Sequence, residues 1–366
     1  MIEYEGNIYL RRLYMKKLFC AVCFLLVLAF VFCSCGEKSK LYEINGENAW
    51  YAYPVENAPV KAVNAGEKWY LLKGIYLGTS FTLAVGSDYL NTKDVYAASG
   101  VDIWFFEANE RLAAWSEIGG EGTKFMVYNA ESGKAEQVFS VSTEAGFAPA
   151  NVGVWGESVY FAHIDYAAEK AAVMRYDLDS GALSCALELE YRGESSCTSL
   201  SVDGGVLLVS AGGEGKAELI RADLASGKRE SIPLASGVEF VYGCAYDAEN
   251  GGYALYYRDG EGEYIGTVNA KNGKVKIIAT FPENVYAYRD TLELYGGHLY
   301  WVQQINASGN VAEHYKFIDY DIGEGTSDEY LRTFSFTLAS DGVTLLSFNT
   351  WEYSAIYLTE IYLGGQ

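Results

Sequence analysis

The chain has 366 residues, half of them hydrophobic and 15% aromatic, and its 27 basic against 48 acidic residues give a formal net charge of −21. That much apolar material can bury a large core and excludes a disordered chain. The missing basic footprint excludes a nucleic-acid binder, and the same charge disfavours anionic headgroups while favouring cationic partners, unless the acidity serves solubility alone.

In chain order, the first predicted element is a targeting segment. Lys16 and Lys17 precede fifteen almost wholly apolar residues, Leu18 to Phe32, and the run stops at Cys33-Ser34-Cys35-Gly36. This is the pattern of a secretory signal peptide. The run is short for a spanning helix, which needs about 20 apolar residues. The cleavage region resembles the bacterial lipoprotein box, in which a small residue precedes a cysteine that is lipidated and becomes the new N-terminus. Cys35 fits with Ser34 before it, whereas Cys33 would place bulky Phe32 there; Phe32, three residues upstream of Cys35, departs from the usual leucine. The resemblance implies a protein held at the bacterial cell envelope by acyl chains, with the membrane as its first partner. Residues 1–34 are therefore predicted as a signal peptide. Glu3, Glu5 and the lack of an apolar core suit a true start at Met15. Residues 35–47 are read as the lipidated cysteine and its tether, and 48–366 as one domain. Without residues 1–34 the net charge becomes −23.

The body of the chain is a repeat. A short apolar run follows a turn at Trp69, Leu112, Val159, Val206, Tyr253, Leu299 and Thr344, at intervals of 43 to 47 residues. Periods of this length belong to propeller blades or solenoids. Each repeat reads as four short strands; in the third these are 151–155, 159–162, 171–176 and 182–187. The second strand is apolar at every position in Trp69-Tyr70-Leu71-Leu72 and Val206-Leu207-Leu208-Val209, as expected where a sheet is covered on both faces.

The turn between the third and fourth strands has an Asx and a glycine four residues apart: Asn129 and Gly133, Asp177 and Gly181, Asp223 and Gly227, Asn269 and Gly273, Asp321 and Gly325. The Asx side chain accepts from the turn's backbone and the glycine supplies a positive φ. Asp88 and Thr92 hold these places in the first repeat, without the glycine.

The seventh repeat ends after its third strand, while an orphan apolar segment, Ala49 to Tyr53, precedes the first. Lending that segment to the last blade closes a ring and removes an exposed edge. The predicted fold is thus all-β, a seven-bladed β-propeller of four-stranded blades closed by an N-terminal strand. The Asp223 to Lys228 turn is similar to those of extracytoplasmic quinoprotein-like and YVTN-type propellers, and TolB-like propellers share the repeat form. The tryptophan that docks each quinoprotein blade is not repeated here, so a quinone cofactor is not implied.

Chemistry is harder to find. His163, His298 and His314 lie in different repeats without metal-ligand spacing, and no Gly-x-Ser-x-Gly elbow is present. Three glycine-rich acidic loops between second and third strands, containing Glu121, Glu214, and Asp259 with Glu261, are candidate ligand-face loops. Ca²⁺ is the one metal they suggest, weakly, because the alternating ligand pattern of a dedicated loop is absent. Asp102 and Asp290 approach the predicted inner strands and are the candidate carboxylate pair for a glycosidase. Cys197 and Cys244 occupy equivalent places in adjacent repeats, so a disulfide between them competes with two buried free thiols.

No cofactor is expected. The sequence points to a non-catalytic, extracytoplasmic, lipid-anchored propeller that binds a protein, peptide or glycan. The alternative is an envelope carbohydrate-active enzyme using inner-strand carboxylates.

Overall fold

The structure, a computed structural model, describes residues 39–43, 51–54, 59–74, 79–147, 151–212, 217–235, 237–283, 285–288, 291–305, 315–339, 342–348 and 355–361. The chain divides into two units, Met1–Lys40 and Leu41–Gln366. The expected signal segment and Cys35 lie outside the described residues.

The second unit is an all-β propeller. Most of its strands pair antiparallel with the next in sequence, so that a repeat becomes a sheet of four strands, or of five or six where the inner strand is divided or a strand is added. Blade 1 runs through Pro59–Ala65, Lys68–Gly74, Ser80–Gly86 and Thr92–Ser99. Blade 2 is Asp102–Ala108, Leu112–Gly119, Gly122–Asn129 and Lys134–Ser142. In blade 3 the inner position is shared by Gly146–Phe147 and Val152–Trp155, followed by Ser158–Asp165, Lys170–Asp177 and Ala182–Leu189. Blade 4 is Ser199–Asp203, Val206–Ala211, Glu218–Asp223 and Arg229–Pro233. Blade 5 is Phe240–Asp247, Gly252–Arg258, Glu263–Val268 and Val275–Phe281. Blade 6 again divides its inner strand, into Val285–Ala287 and Glu293–Tyr295, before His298–Ile305, Tyr315–Asp321 and Thr326–Leu331.

Blades 1 to 5 use strands consecutive in sequence, and in the sheet of blade 6 the distant strand Ser39–Glu43 adds beside Thr326–Leu331. The remaining sheet is of mixed origin: Thr333–Ala339, Gly342–Phe348 and Ala355–Ile361 are joined by Tyr51–Pro54. Tyr51 faces Leu358 and Pro54 faces Ala355, so the segment expected to be lent from the N-terminal side pairs with the last strand of the chain.

The second strands carry the core. Val206–Ala211 is buried at all of its positions, because neighbouring blades cover both faces of the sheet. Phe125 of blade 2 stacks on Phe161 of blade 3 with centroids 4.3 Å apart, and Phe317 of blade 6 meets Phe336 of the mixed sheet at 4.7 Å. Ala62, Trp69 and Leu71 of blade 1 share one cluster with Phe334 and Leu346 of the mixed sheet, which therefore packs against blade 1 as well as blade 6.

The predicted Asx-to-glycine turns form as the chemistry requires. Asp223 Oδ1 accepts from Ser226 N at 2.7 Å, Gly227 N donates to Asp223 O at 2.8 Å, and Gly227 has φ of 70°. The hydrogen bonds from Ser226 hold the Asp223 carboxyl below its ordinary pKa. The same turn occurs where the sequence reading did not place it: Asp247 Oδ1 accepts from Asn250 N at 3.0 Å, and Gly251 takes φ of 69° between the first and second strands of blade 5.

Cys197 and Cys244 are buried and free, and Cys185 is free and exposed. The weighed disulfide is not formed. Each buried sulfur instead donates to Ser199, Cys197 Sγ to the carbonyl and Cys244 Sγ to the hydroxyl, both at 3.6 Å. Burial pushes both thiols up, Cys244 to about 11, which removes the thiolate needed for exchange.

Candidate functional site

Inner strands around a propeller axis line its central channel. Three acids stand on inner strands of alternate blades, the exposed Glu107 of blade 2, the exposed Asp203 of blade 4 and the half-buried Glu293 of blade 6, and the charges of the first two act on the third. Burial, then the charges of Glu107 and Asp203, push the Glu293 carboxyl up to about 8. Asp203 is also raised, by burial and by the nearby Asp247, although the Ala248 N–H donates to its Oδ2 at 2.9 Å.

Glu293 has a particular environment. The residue is half-buried. No described hydrogen-bond donor reaches it. Glu117, a buried carboxylate of blade 2, shows the ordinary alternative: Tyr96 Oη donates to its Oε1 at 2.7 Å and Trp115 Nε1 at 3.0 Å. A buried carboxylate without such donors is costly in its charged form.

The rim beside this cluster is built by the turns between first and second strands, which clasp one another around the ring. Lys68 Nζ donates to Glu110 O at 2.8 Å, and Asn109 Nδ2 donates to Gly156 O at 2.7 Å. Arg111 pairs with Glu157 and, at 3.3 Å, with Asp179. Trp155 lies over Gly205 of the next blade and remains 38% exposed, an aromatic surface two residues along from Asp203.

The residues selected from sequence fare unequally. Asp102 is exposed at the opening residue of its inner strand, paired with Ile118, away from the end that carries Glu107. Asp290, Glu214 and His314 lie outside the described residues. Glu121 and Glu261 are exposed loop residues. Asp259 is spent on its own turn, where Oδ1 accepts from Glu261 N at 2.8 Å and Gly262 N at 3.0 Å. His163 sits edge-on to Phe139 at 5.0 Å, and burial lowers its pKa. His298 Nδ1 meets Asp319 Oδ1 at 2.6 Å, which raises its pKa. Among the described residues no group of three His, Cys, Asp or Glu side chains is placed to hold a metal ion.

The carboxylates that do converge were not selected from sequence. Glu107, Asp203 and Glu293 stand five, three and six residues before their repeat anchors, so they form no column in a repeat alignment. Their shared signal was only that each is an acid near the end of a predicted inner strand.

No protein-family model and no curated protein sequence matches the chain. Solved structures match by fold. The chain is similar to the β-propeller domain of the Trilobed protease from Pyrococcus furiosus, with a TM-score of 0.55 and 10% identity over 86% of this chain and 97% of that one. It is similar to an oligogalacturonate lyase in complex with manganese, with a TM-score of 0.51 and 10% identity over 85% and 91% of the two chains. TolB from Acinetobacter baumannii aligns with a TM-score of 0.43 and 13% identity over 82% and 79%. Identities this low establish the propeller fold and nothing of function.

Proposed function

We propose that this protein is a seven-bladed, extracytoplasmic, lipid-anchored propeller that binds a polypeptide or glycan ligand without transforming it. The observation that carries the binding role is the set of acids on inner strands of alternate blades, Glu107, Asp203 and Glu293, the first two of which act on the half-buried third. The blade number is supported by the mixed sheet, which packs against both blade 6 and blade 1. The address rests on Lys16, Lys17, the apolar run and the small residue before Cys35. Crosslinking the native protein in its own envelope, followed by identification of what is attached, tests the binding role; a chain that captures no polypeptide or glycan above an unrelated exported control overturns it. Mass spectrometry of the membrane form tests the anchor: acyl chains are expected on Cys35, and an unmodified mature Cys35 refutes them.

One observation favours a second reading, the envelope carbohydrate-active enzyme. A carboxyl held near pKa 8 beside other carboxylates keeps its proton at neutral pH, as a general acid must. The acid would then be Glu293, with Asp203 or Glu107 as its partner, instead of Asp102 and Asp290. Turnover of an envelope glycan that Glu293→Gln abolishes would establish it, and turnover unaffected by that change would end it.

A further inference from the structure

The chain reaches the ring from one side, along the outer edges of two successive sheets. Ser39–Glu43 adds beside Thr326–Leu331, the fourth strand of blade 6, and Tyr51–Pro54 then pairs with Ala355–Ile361 as the outermost strand of the mixed sheet. Among the described residues the fourth strands of blades 1 to 5 end their sheets, so blade 6 alone has a further strand laid against a completed blade. The edge itself supplies the reason. A fourth strand offers a row of unpaired N–H and C=O groups, and an extended segment such as Ser39-Lys40-Leu41-Tyr42-Glu43 satisfies them.

That pairing limits how far the ring can stand from the start of its tether. Leu41 belongs to the propeller unit and is six residues from Cys35, a reach of at most about 21 Å when fully extended. A unit of this size is about 50 Å across. Without the docked strand the first fixed point would be Tyr51, 16 residues from Cys35, and a reach of about 55 Å would let the ring turn freely.

Charge decides which way the ring then lies. Gly36 to Lys40 contains two lysines and one glutamate, the reverse of the balance in a chain whose net charge is −23 without residues 1–34. Lysines close to a bilayer are drawn to anionic headgroups, and acids are repelled. Either face laid flat would press acids of several blades onto the headgroups: the exposed Glu67, Glu110 and Asp203 on one, the exposed Glu121, Glu239 and Glu261 on the other. Standing on the edge of blade 6 avoids both.

We propose, on the premise of the Cys35 anchor above, that the outer edge of blade 6 is the surface that meets the lipid headgroups, so that the ring stands upright on the membrane with both rims open. The mature acylated protein is added to vesicles of phosphatidylcholine and phosphatidylglycerol that contain an acceptor dye on a lipid headgroup. Cys185, the exposed thiol of blade 3, takes the donor dye in the native chain, and Cys185→Ser with Glu324→Cys moves it to an exposed turn of blade 6. Glu324 holds that turn through its backbone N–H, which donates to Asp321 Oδ1 at 2.8 Å, so the change leaves the turn intact. Energy transfer is expected to be at least about twofold stronger from position 324, because the two sites lie on nearly opposite sides of a ring about 50 Å across.

Two further variants release the ring. Leu41→Pro with Tyr42→Pro removes a ladder N–H in either register, and a Gly-Ser run of about ten residues inserted after Gly36 lengthens the tether with the strand left intact. Each should erase the difference, with thermal melts confirming that the ring remains folded. Equal transfer from the two sites, or stronger transfer from Cys185, overturns the proposal and leaves the anchor standing. A difference that survives both release variants overturns it as well, since the docked strand would not then set the orientation. A mature chain with no acyl group on Cys35 overturns the anchor and this inference together.

Discussion

The second strands and the inner strands are neighbours in every blade and have opposite characters. Val206–Ala211 is buried throughout and apolar but for Ser210, whereas the adjoining inner strand of the same blade ends in an exposed Asp203. The difference comes from what covers each one. A second strand is sandwiched between two blades and can contain little but packing side chains. An inner strand borders the axis and can place a charge there, provided the rest of the blade contributes enough core. The stability of the ring and its chemistry therefore occupy adjacent strands, and either can be perturbed with small effect on the other.

The sharpest break in that division is a cavity in a second strand. Leu208 is fully buried among Leu219, Val241 and Leu255 of blades 4 and 5. Leu208→Ala should cost about 3–5 kcal/mol in chemical denaturation, from lost transfer energy plus the cavity. A cost below about 1 kcal/mol would contradict the assignment of the core to these strands.

A smaller effect separates two chemically identical turns. Gly227 and Gly273 both take positive φ, at 70° and 66°, but a Cβ at Gly227 meets open space while one at Gly273 would lie 1.8 Å from the Pro233 carbonyl oxygen. Gly227→Ala should cost about 1 kcal/mol, the strain of the left-handed backbone. Gly273→Ala adds displacement of the blade 4 backbone and should cost about 2–3 kcal/mol. Equal melting shifts for the two would show that the turn of blade 5 does not dock on blade 4.

The smallest effect, and the one that sharpens the comparison most, is on the inner strands. The Glu293 pKa is raised in the folded state to about 8 from 4.5. Its contribution to stability is therefore complete below about pH 4.5 and is lost as the pH rises through about 8. Glu293→Gln removes this loss: relative to wild type it should gain about 1–2 kcal/mol between pH 5 and pH 9, read from denaturation midpoints across that range, with little difference at pH 4. The charges of Glu107 and Asp203 act on Glu293, so the transition will be broad. A wild-type protein whose stability is flat from pH 5 to pH 9 would place Glu293 in ordinary solvent.

Much of the architecture is legible from local residues. The four-residue spacing of Asp223 and Gly227, the apolar run of Val206 to Val209, and the unpaired segment ending at Tyr53 each predicted an element that forms. All three depend on short-range rules of hydrogen bonding, burial and edge protection. The Asp247 turn was overlooked because the same signature was sought only between third and fourth strands. Asp259 looked like a ligand-facing acid because sequence does not reveal that its carboxylate is consumed by the N–H groups of Glu261 and Gly262.

The sequence by itself determined the period, the strands, the turn chemistry and the acidic balance, since each is set by residues within one repeat. Only the tertiary structure decided that the charges of Glu107 and Asp203 act on Glu293. They are 96 and 90 residues apart along the chain and belong to blades that do not touch side by side. Inner strands of separate blades come to one end of the ring only because the blades close around an axis, and that closure, with partial burial, is what raises Glu293.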